Sequence, residues 1–123
     1  MLKMTKFKSL NKSKDFLNIL RKNKLNTKYF TIYFGKNSKD LYKQYLNISF
    51  VMKKNIGNAV IRNRIKRKLK SAVQRIMEEK RLIDLKYTYV IFGKNNVYKD
   101  KFELVLNEVN ETFNKINKIK KIL

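Results

Sequence analysis

Histidine, cysteine, proline and tryptophan are absent from this chain, and glycine occurs only three times. Without cysteine there are neither disulfides nor thiolate metal ligands, and without histidine the commonest metal ligand and the usual general base are missing. Acidic residues are scarce: 9 Asp and Glu stand against 31 Lys and Arg, a formal net charge of +22. Long apolar runs are lacking too. No stretch approaches the roughly 18 consecutive apolar residues of a membrane span. Met1 to Leu10 carries Lys3, Lys6 and Lys8 but no apolar core or small-residue cleavage site, so no secretory signal is read and a cytoplasmic protein is expected. Abundant Lys, Asn and Ile with little Ala point to an AT-rich coding bias, which accounts for part of the lysine excess.

The chain nevertheless has the means to fold. Its 123 residues are 43% hydrophobic and 12% aromatic, too apolar for a disordered basic tail and the right length for one domain, residues 1–123. So much like charge opposes compaction, so a polyanionic partner is expected. The candidates are nucleic acid, an anionic membrane or an acidic protein, and the lack of a long apolar run weakens the membrane.

Hydrophobic periodicity predicts a helix from about Ser13 to Lys22, with Asp15 in its first turn and Phe16, Ile19 and Leu20 on one face. Strands are predicted over Tyr29 to Phe34, Tyr45 to Met52 and Tyr87 to Phe92, the second by strict alternation and the others by β-branched and aromatic content. A closing helix is predicted from about Lys99 to Ile119, with Phe102, Val105, Leu106, Val109, Phe113 and Ile116 at helical spacing.

The most informative segment is Asn58 to Lys80. At about 100° per residue, Ile61, Ala72, Ile65, Ile76, Leu69 and Val73 fall within an arc of roughly 120°. Lys70, Asn63, Arg67 and Arg64 lie opposite, while Arg62 falls inside the apolar arc. Residues 52–81 hold 11 Lys and Arg against 2 Glu, whereas residues 86–123 hold 8 Lys against 4 acids. The basic charge is therefore concentrated on one helix. Taken alone, such a face is either a solvated surface or a surface for polyanions. Arg forks bind phosphate bidentately, Lys adds point charge, and Asn can serve a sugar or base edge.

Order, beyond composition, narrows the choice. The run Lys53-Lys54-Asn55-Ile56-Gly57-Asn58-Ala59-Val60-Ile61-Arg62-Asn63-Arg64-Ile65-Lys66-Arg67 resembles the signature of the bacterial ribonuclease P protein family. The likeness extends to the Ser-Leu and Asp15-Phe16 pattern near the start, the aromatic strand around Phe30 and Tyr33, the Ile48-Ser49 strand and the terminal helix. It implies an α/β fold, an α+β two-layer sandwich with a small mixed sheet, in which the basic helix sits in a left-handed β-α-β crossover. It also implies a subunit of an endoribonuclease whose catalytic centre lies in a partner RNA using Mg²⁺, with precursor tRNA as substrate and neither DNA nor membrane as partner. Candidate RNA contacts are Lys53, Lys54, Asn58, Arg62, Asn63, Arg64, Lys66, Arg67, Lys68 and Lys70.

The resemblance further implies a cleft for the single-stranded 5′ leader, onto which Phe16, Leu20 and Tyr33 map. Aromatic rings suit that task because any base stacks on them. Leu20 departs from the family's usual aromatic, and Phe16 and Leu20 could equally be core. No catalytic residue, cofactor or metal is assigned to the protein: adjacent Glu78 and Glu79 point to different sides of a helix end, and no carboxylates pair convincingly. A ribosomal-type RNA-binding domain is the main rival. A helix-turn-helix DNA regulator is disfavoured, because the segment before Asn58 reads as a strand.

Overall fold

A computed structural model describes residues 6–10, 13–37, 45–80 and 83–122. The first five residues, on which the reading of the N-terminus partly rests, lie outside that set. Five strands, β1 (Phe7–Lys8), β2 (Asn23–Asn26), β3 (Phe30–Lys36), β4 (Leu46–Val51) and β5 (Tyr87–Gly93), form one sheet in the order β1-β4-β5-β3-β2. β1, β4 and β5 run parallel, while β3 is antiparallel to both β5 and β2. The helices are α1 (Ser13–Leu20), α2 (Ala59–Lys80), the short α3 (Asn96–Lys99) and α4 (Phe102–Ile122).

Register sorts the side chains, because residues paired across a ladder share a face. Phe30, Ile32 and Phe34 pair with Gly93, Ile91 and Tyr89, and this face meets α2 and α4: the Tyr89 and Phe113 rings lie 5.2 Å apart, edge to face. The other face carries Thr31, Tyr33 and Gly35 opposite Phe92, Val90 and Thr88. Among the described residues α1 is the helix that covers it, by way of Ile19, whose Cδ1 would lie 3.5 Å from a Cβ at Gly35. The helices therefore occupy both sides, with α1 as a partial third layer. β4 and β5, parallel neighbours, are joined through a 3₁₀ turn (Lys54–Ile56) and α2, the connectivity of a βαβ unit.

The mixed α/β architecture matches the expectation from sequence. Ile65, Leu69, Ala72 and Val73 of α2 are fully buried and Ile76 nearly so, and each large apolar side chain taken from water contributes about 1.5–3 kcal/mol. Four details differ. The first helix stops at Leu20 and closes with a turn, Lys22 N–H donating to Ile19 O at 3.0 Å. The closing helix does not start at Lys99: Asp100, extended at φ −91° and ψ 160°, separates α3 from α4. β1, two residues long, was not expected. β2 was not expected because Asn-Lys-Leu-Asn is polar, yet it is held by a hairpin in which Thr27 Oγ1 accepts from Tyr29 N–H at 3.2 Å and Phe30 N–H at 3.1 Å.

Gly93 marks how closely α2 approaches the sheet. A Cβ there would lie 2.6 Å from Met52 Sδ and 2.9 Å from the fully buried Ile65 Cγ2. Gly93→Ala is therefore expected to destabilise the protein by about 1–3 kcal/mol through overpacking, measured by urea denaturation; an unchanged midpoint would mean that the neighbours yield freely.

Candidate nucleic-acid interface

The basic helix is started by its own sequence. Gly57 adopts φ 158° and ψ −171°, a combination open essentially to glycine alone, and turns the chain out of the 3₁₀ turn. Asn58 then caps α2, its Oδ1 accepting from the Ile61 N–H at 3.0 Å. Asn58, a candidate RNA contact, thus has a structural duty on its carbonyl oxygen. With the apolar stripe pressed on the sheet and α4, the opposite side must face water. Asn63, Arg64, Lys66, Arg67 and Lys70 are all exposed, and none of the described ion pairs involves them. At 1.5 Å per residue, Arg64, Arg67 and Lys70 form a slanting row rising about 9 Å along the helix.

The far end of α2 is different. The Arg75 guanidinium lies over the Phe102 ring, 5.2 Å from its centroid, and its Nε is 3.9 Å from Glu79; Gln74 Nε2 donates to Glu78 Oε1 at 3.0 Å. Beside the row, a groove of about 520 Å³ is lined by Arg67, Lys70, Ser71, Gln74, Arg75 and Glu78. Uncompensated positive charge is thus densest over the first half of the helix.

Three other candidates separate from this row. Arg62 is half-buried and its Nε has no hydrogen-bond partner, in keeping with its place inside the apolar arc. Lys68, also half-buried, donates its ammonium to Val97 O at 2.9 Å and to Asp100 O, bracing α2 against the α3–α4 junction. Lys53 is exposed, like Lys54, but its ammonium sits 5.6 Å from the centre of the Phe92 ring, on the sheet face away from α2.

That second face gathers the aromatic candidates. Phe16 of α1 meets Phe92 edge-on with centroids 6.3 Å apart, and Tyr33 meets it likewise at 5.6 Å. All three rings are half-exposed, and Lys24 Nζ lies 5.9 Å from the Tyr33 centroid. Leu20 is half-buried on the same helix as Phe16. Phe92, at the centre of this cluster, was missed because Tyr87 to Phe92 read as one continuous apolar run. Its parity with Thr88 and Val90, opposite to Tyr89 and Ile91, is the signal that distinguishes it. Among the described residues, no three acidic side chains converge to hold a metal ion.

Asp100 anchors the junction that Lys68 braces. Its Oδ2 accepts from the Tyr29 hydroxyl at 2.5 Å and lies 3.3 Å from Lys28 Nζ. The Tyr29 hydrogen bond first, and the Lys28 ammonium with it, hold the Asp100 carboxyl below its ordinary range, against a smaller opposing effect of desolvation.

The ribonuclease P family model matches residues 4–117 of the chain. A ribonuclease P protein component of Carboxydothermus hydrogenoformans is 31% identical over 107 residues, spanning 86% of this chain and 88% of that protein. One from Bacillus velezensis is 30% identical over 119 residues, spanning 96% and 97%. Among solved structures, the ribonuclease P protein of Thermotoga maritima aligns with a TM-score of 0.70 at 24% identity, over 88% of this chain and 96% of that one.

Binding to RNA should fall steeply with salt. Arg67→Ala is expected to flatten the plot of log affinity against log salt by about 0.7–0.9, the value of one phosphate contact, whereas Lys68→Ala should leave the slope alone and lower thermal stability; equal slopes for Arg67→Ala and the parent would mark the row as merely solvated. A second expectation concerns acid. A carboxyl with a depressed folded pKa stabilises the protein above its unfolded value, near 3.9, and loses that contribution as pH falls through the folded one. Asp100→Asn should therefore lower the melting temperature at neutral pH and narrow the gap to the parent on acidification below about pH 4, as followed by thermal melts across pH; a constant gap would exclude the Asp100 ionisation as the cause.

Proposed function

The chain belongs to the ribonuclease P protein component family, and we propose that it acts as the protein subunit of that ribonucleoprotein, holding the RNA subunit on α2 and the 5′ leader of precursor tRNA in the aromatic cleft. The observation that carries this reading is the exposed row Arg64, Arg67 and Lys70, rooted on a buried stripe and left without acidic partners among the described ion pairs. Cations held on a rigid element neutralise phosphates, and release of the condensed counterions drives association.

Two surfaces on opposite sides of the sheet support two RNA roles. The α2 row fits a folded backbone, which it would grip without reading bases. Phe16, Tyr33 and Phe92 fit an unpaired strand, because stacking tolerates any base, and Lys53 and Lys24 at the rim would balance its phosphates. Leu20 would add apolar contact without a ring to stack on.

The donor set on both surfaces is cationic and aromatic, which suits phosphate and base but not a metal ion. In this reading the Mg²⁺ that the family resemblance implies would sit with the RNA subunit and assist phosphodiester hydrolysis at the tRNA 5′ end. This chain's residues would bind and position, lowering the counterion concentration the assembly needs. A DNA-reading alternative is weaker, since a strand and a 3₁₀ turn precede α2 where a helix-turn-helix would need a helix. No described helix is long and apolar enough to cross a membrane.

Reconstitution tests the whole reading. Added to a matching ribonuclease P RNA at low Mg²⁺, the protein should increase 5′ maturation of a precursor tRNA, and no increase would overturn the assignment. Phe16→Ala, Tyr33→Ala or Phe92→Ala should weaken binding of a substrate with a long leader by about 5- to 150-fold per lost stacked base, while sparing one with a single-nucleotide leader. Equal losses on both substrates would remove the leader from the cleft.

A further inference from the structure

Tyr98 is 41% exposed and stands at the edge of the α2 row, beside Arg64 of that row and Lys99, which belongs to neither surface described above. It lines, with Arg64, Lys68 and Lys99, a cavity of about 540 Å³, within the roughly 300–1,000 Å³ typical of small-ligand sites. None of the described ring pairs involves Tyr98. The short helix that presents it is firmly seated. Val97 beside it is fully buried, Lys68 donates to the carbonyls of Val97 and Asp100, and Asn96 Nδ2 donates to Lys28 O at 3.1 Å.

We propose that Tyr98, Arg64 and Lys99 bind one unpaired ribonucleotide, its base stacked on the Tyr98 ring and its phosphate held by the Arg64 and Lys99 side chains. The inference rests on the RNA-binding reading of α2 and extends it, because Arg64 belongs to both the phosphate row and this cavity. An aromatic face selects for a base and flanking cations for its phosphate. The base must be unpaired, since an A-form helix keeps its base faces stacked inside. Seating by Lys68 and Asn96 fixes the backbone that carries the ring, so binding orders little more than the Tyr98, Arg64 and Lys99 side chains. The RNA subunit and the precursor tRNA could both supply such a nucleotide.

The chain has no tryptophan, so Tyr98→Trp installs a single fluorophore in the full-length protein at the proposed site. Its emission should be quenched on titration with a matching ribonuclease P RNA. Quenching by that RNA alone assigns the nucleotide to the RNA subunit; quenching only after precursor tRNA joins assigns it to the substrate. Tyr98→Ala should weaken the corresponding binding by about 5- to 150-fold, and Tyr98→Phe, which keeps the ring face, should not. If the complex forms with Arg67-dependent affinity while the Tyr98→Trp emission is unchanged and Tyr98→Ala binds like the parent, the site is overturned and the function stands. Failure of the unsubstituted protein to bind the RNA would overturn both.

Discussion

Burial of one stripe of α2 is the constraint on which the rest depends. Ile65, Leu69, Ala72 and Val73 have no exposed surface, and they can be covered only if the helix lies on the sheet in one rotational setting. That setting leaves Arg64, Arg67 and Lys70 no direction but outward. Charge alone would not produce such an arrangement. A helix this basic repels itself, and it is the apolar underside, locked between the β4–β5 face and α4, that holds the cations on a common plane. The close seat at Gly93, where a Cβ would meet Met52 and Ile65, shows how little the helix could be lifted or rolled.

The sheet then separates two kinds of surface. Its α2-facing side is filled with large apolar side chains, whereas its other side alternates Thr31, Tyr33 and Gly35 against Phe92, Val90 and Thr88. α1 spans just eight residues, too short to roof that side completely, and Gly35 makes room for the turn that follows it: a Cβ there would lie 2.9 Å from Lys22 Cγ. The part left open is the part carrying Tyr33 and Phe92, with Phe16 reaching over from the helix. An aromatic floor half-open to water follows from a short helix on a broad sheet.

What could be read from the chain and what could not follow the same division between local and long-range causes. The two sides of α2 were legible because helical periodicity depends only on neighbours a turn apart, and all five residues placed in the inner stripe beyond Ile61 are buried. Lys68 was not legible. Its spacing puts it near the helix flank, but whether its ammonium meets phosphate or protein is decided by Val97 and Asp100, some thirty residues away. Lys53 belongs to the signature in sequence, yet in space its ammonium stands by the Phe92 ring, on the sheet face away from α2. β2 escaped notice since its pairing with β3, not its composition, makes it a strand. The break at Asp100 is likewise tertiary: Tyr29 and Lys28 hold the carboxylate, and an extended residue there halts what periodicity alone would continue.

The placement of the few acids completes the argument. Asp84 pairs with Lys120 at 2.8 Å, Asp100 with Lys28, and Glu79 with Arg75 at the last turns of α2. The first two tie separate elements together and the third lies within the end of α2, and none of the three engages Arg64, Arg67 or Lys70. In a chain with only 9 acids, scattering them evenly would have weakened the field along the row. Engaged in these pairs, Asp84, Asp100 and Glu79 leave Arg64, Arg67 and Lys70 without a partner among the described ion pairs, and the first half of α2 keeps a positive potential. The same distribution of charge braces the fold and leaves the outward face of α2 unpaired among the described ion pairs.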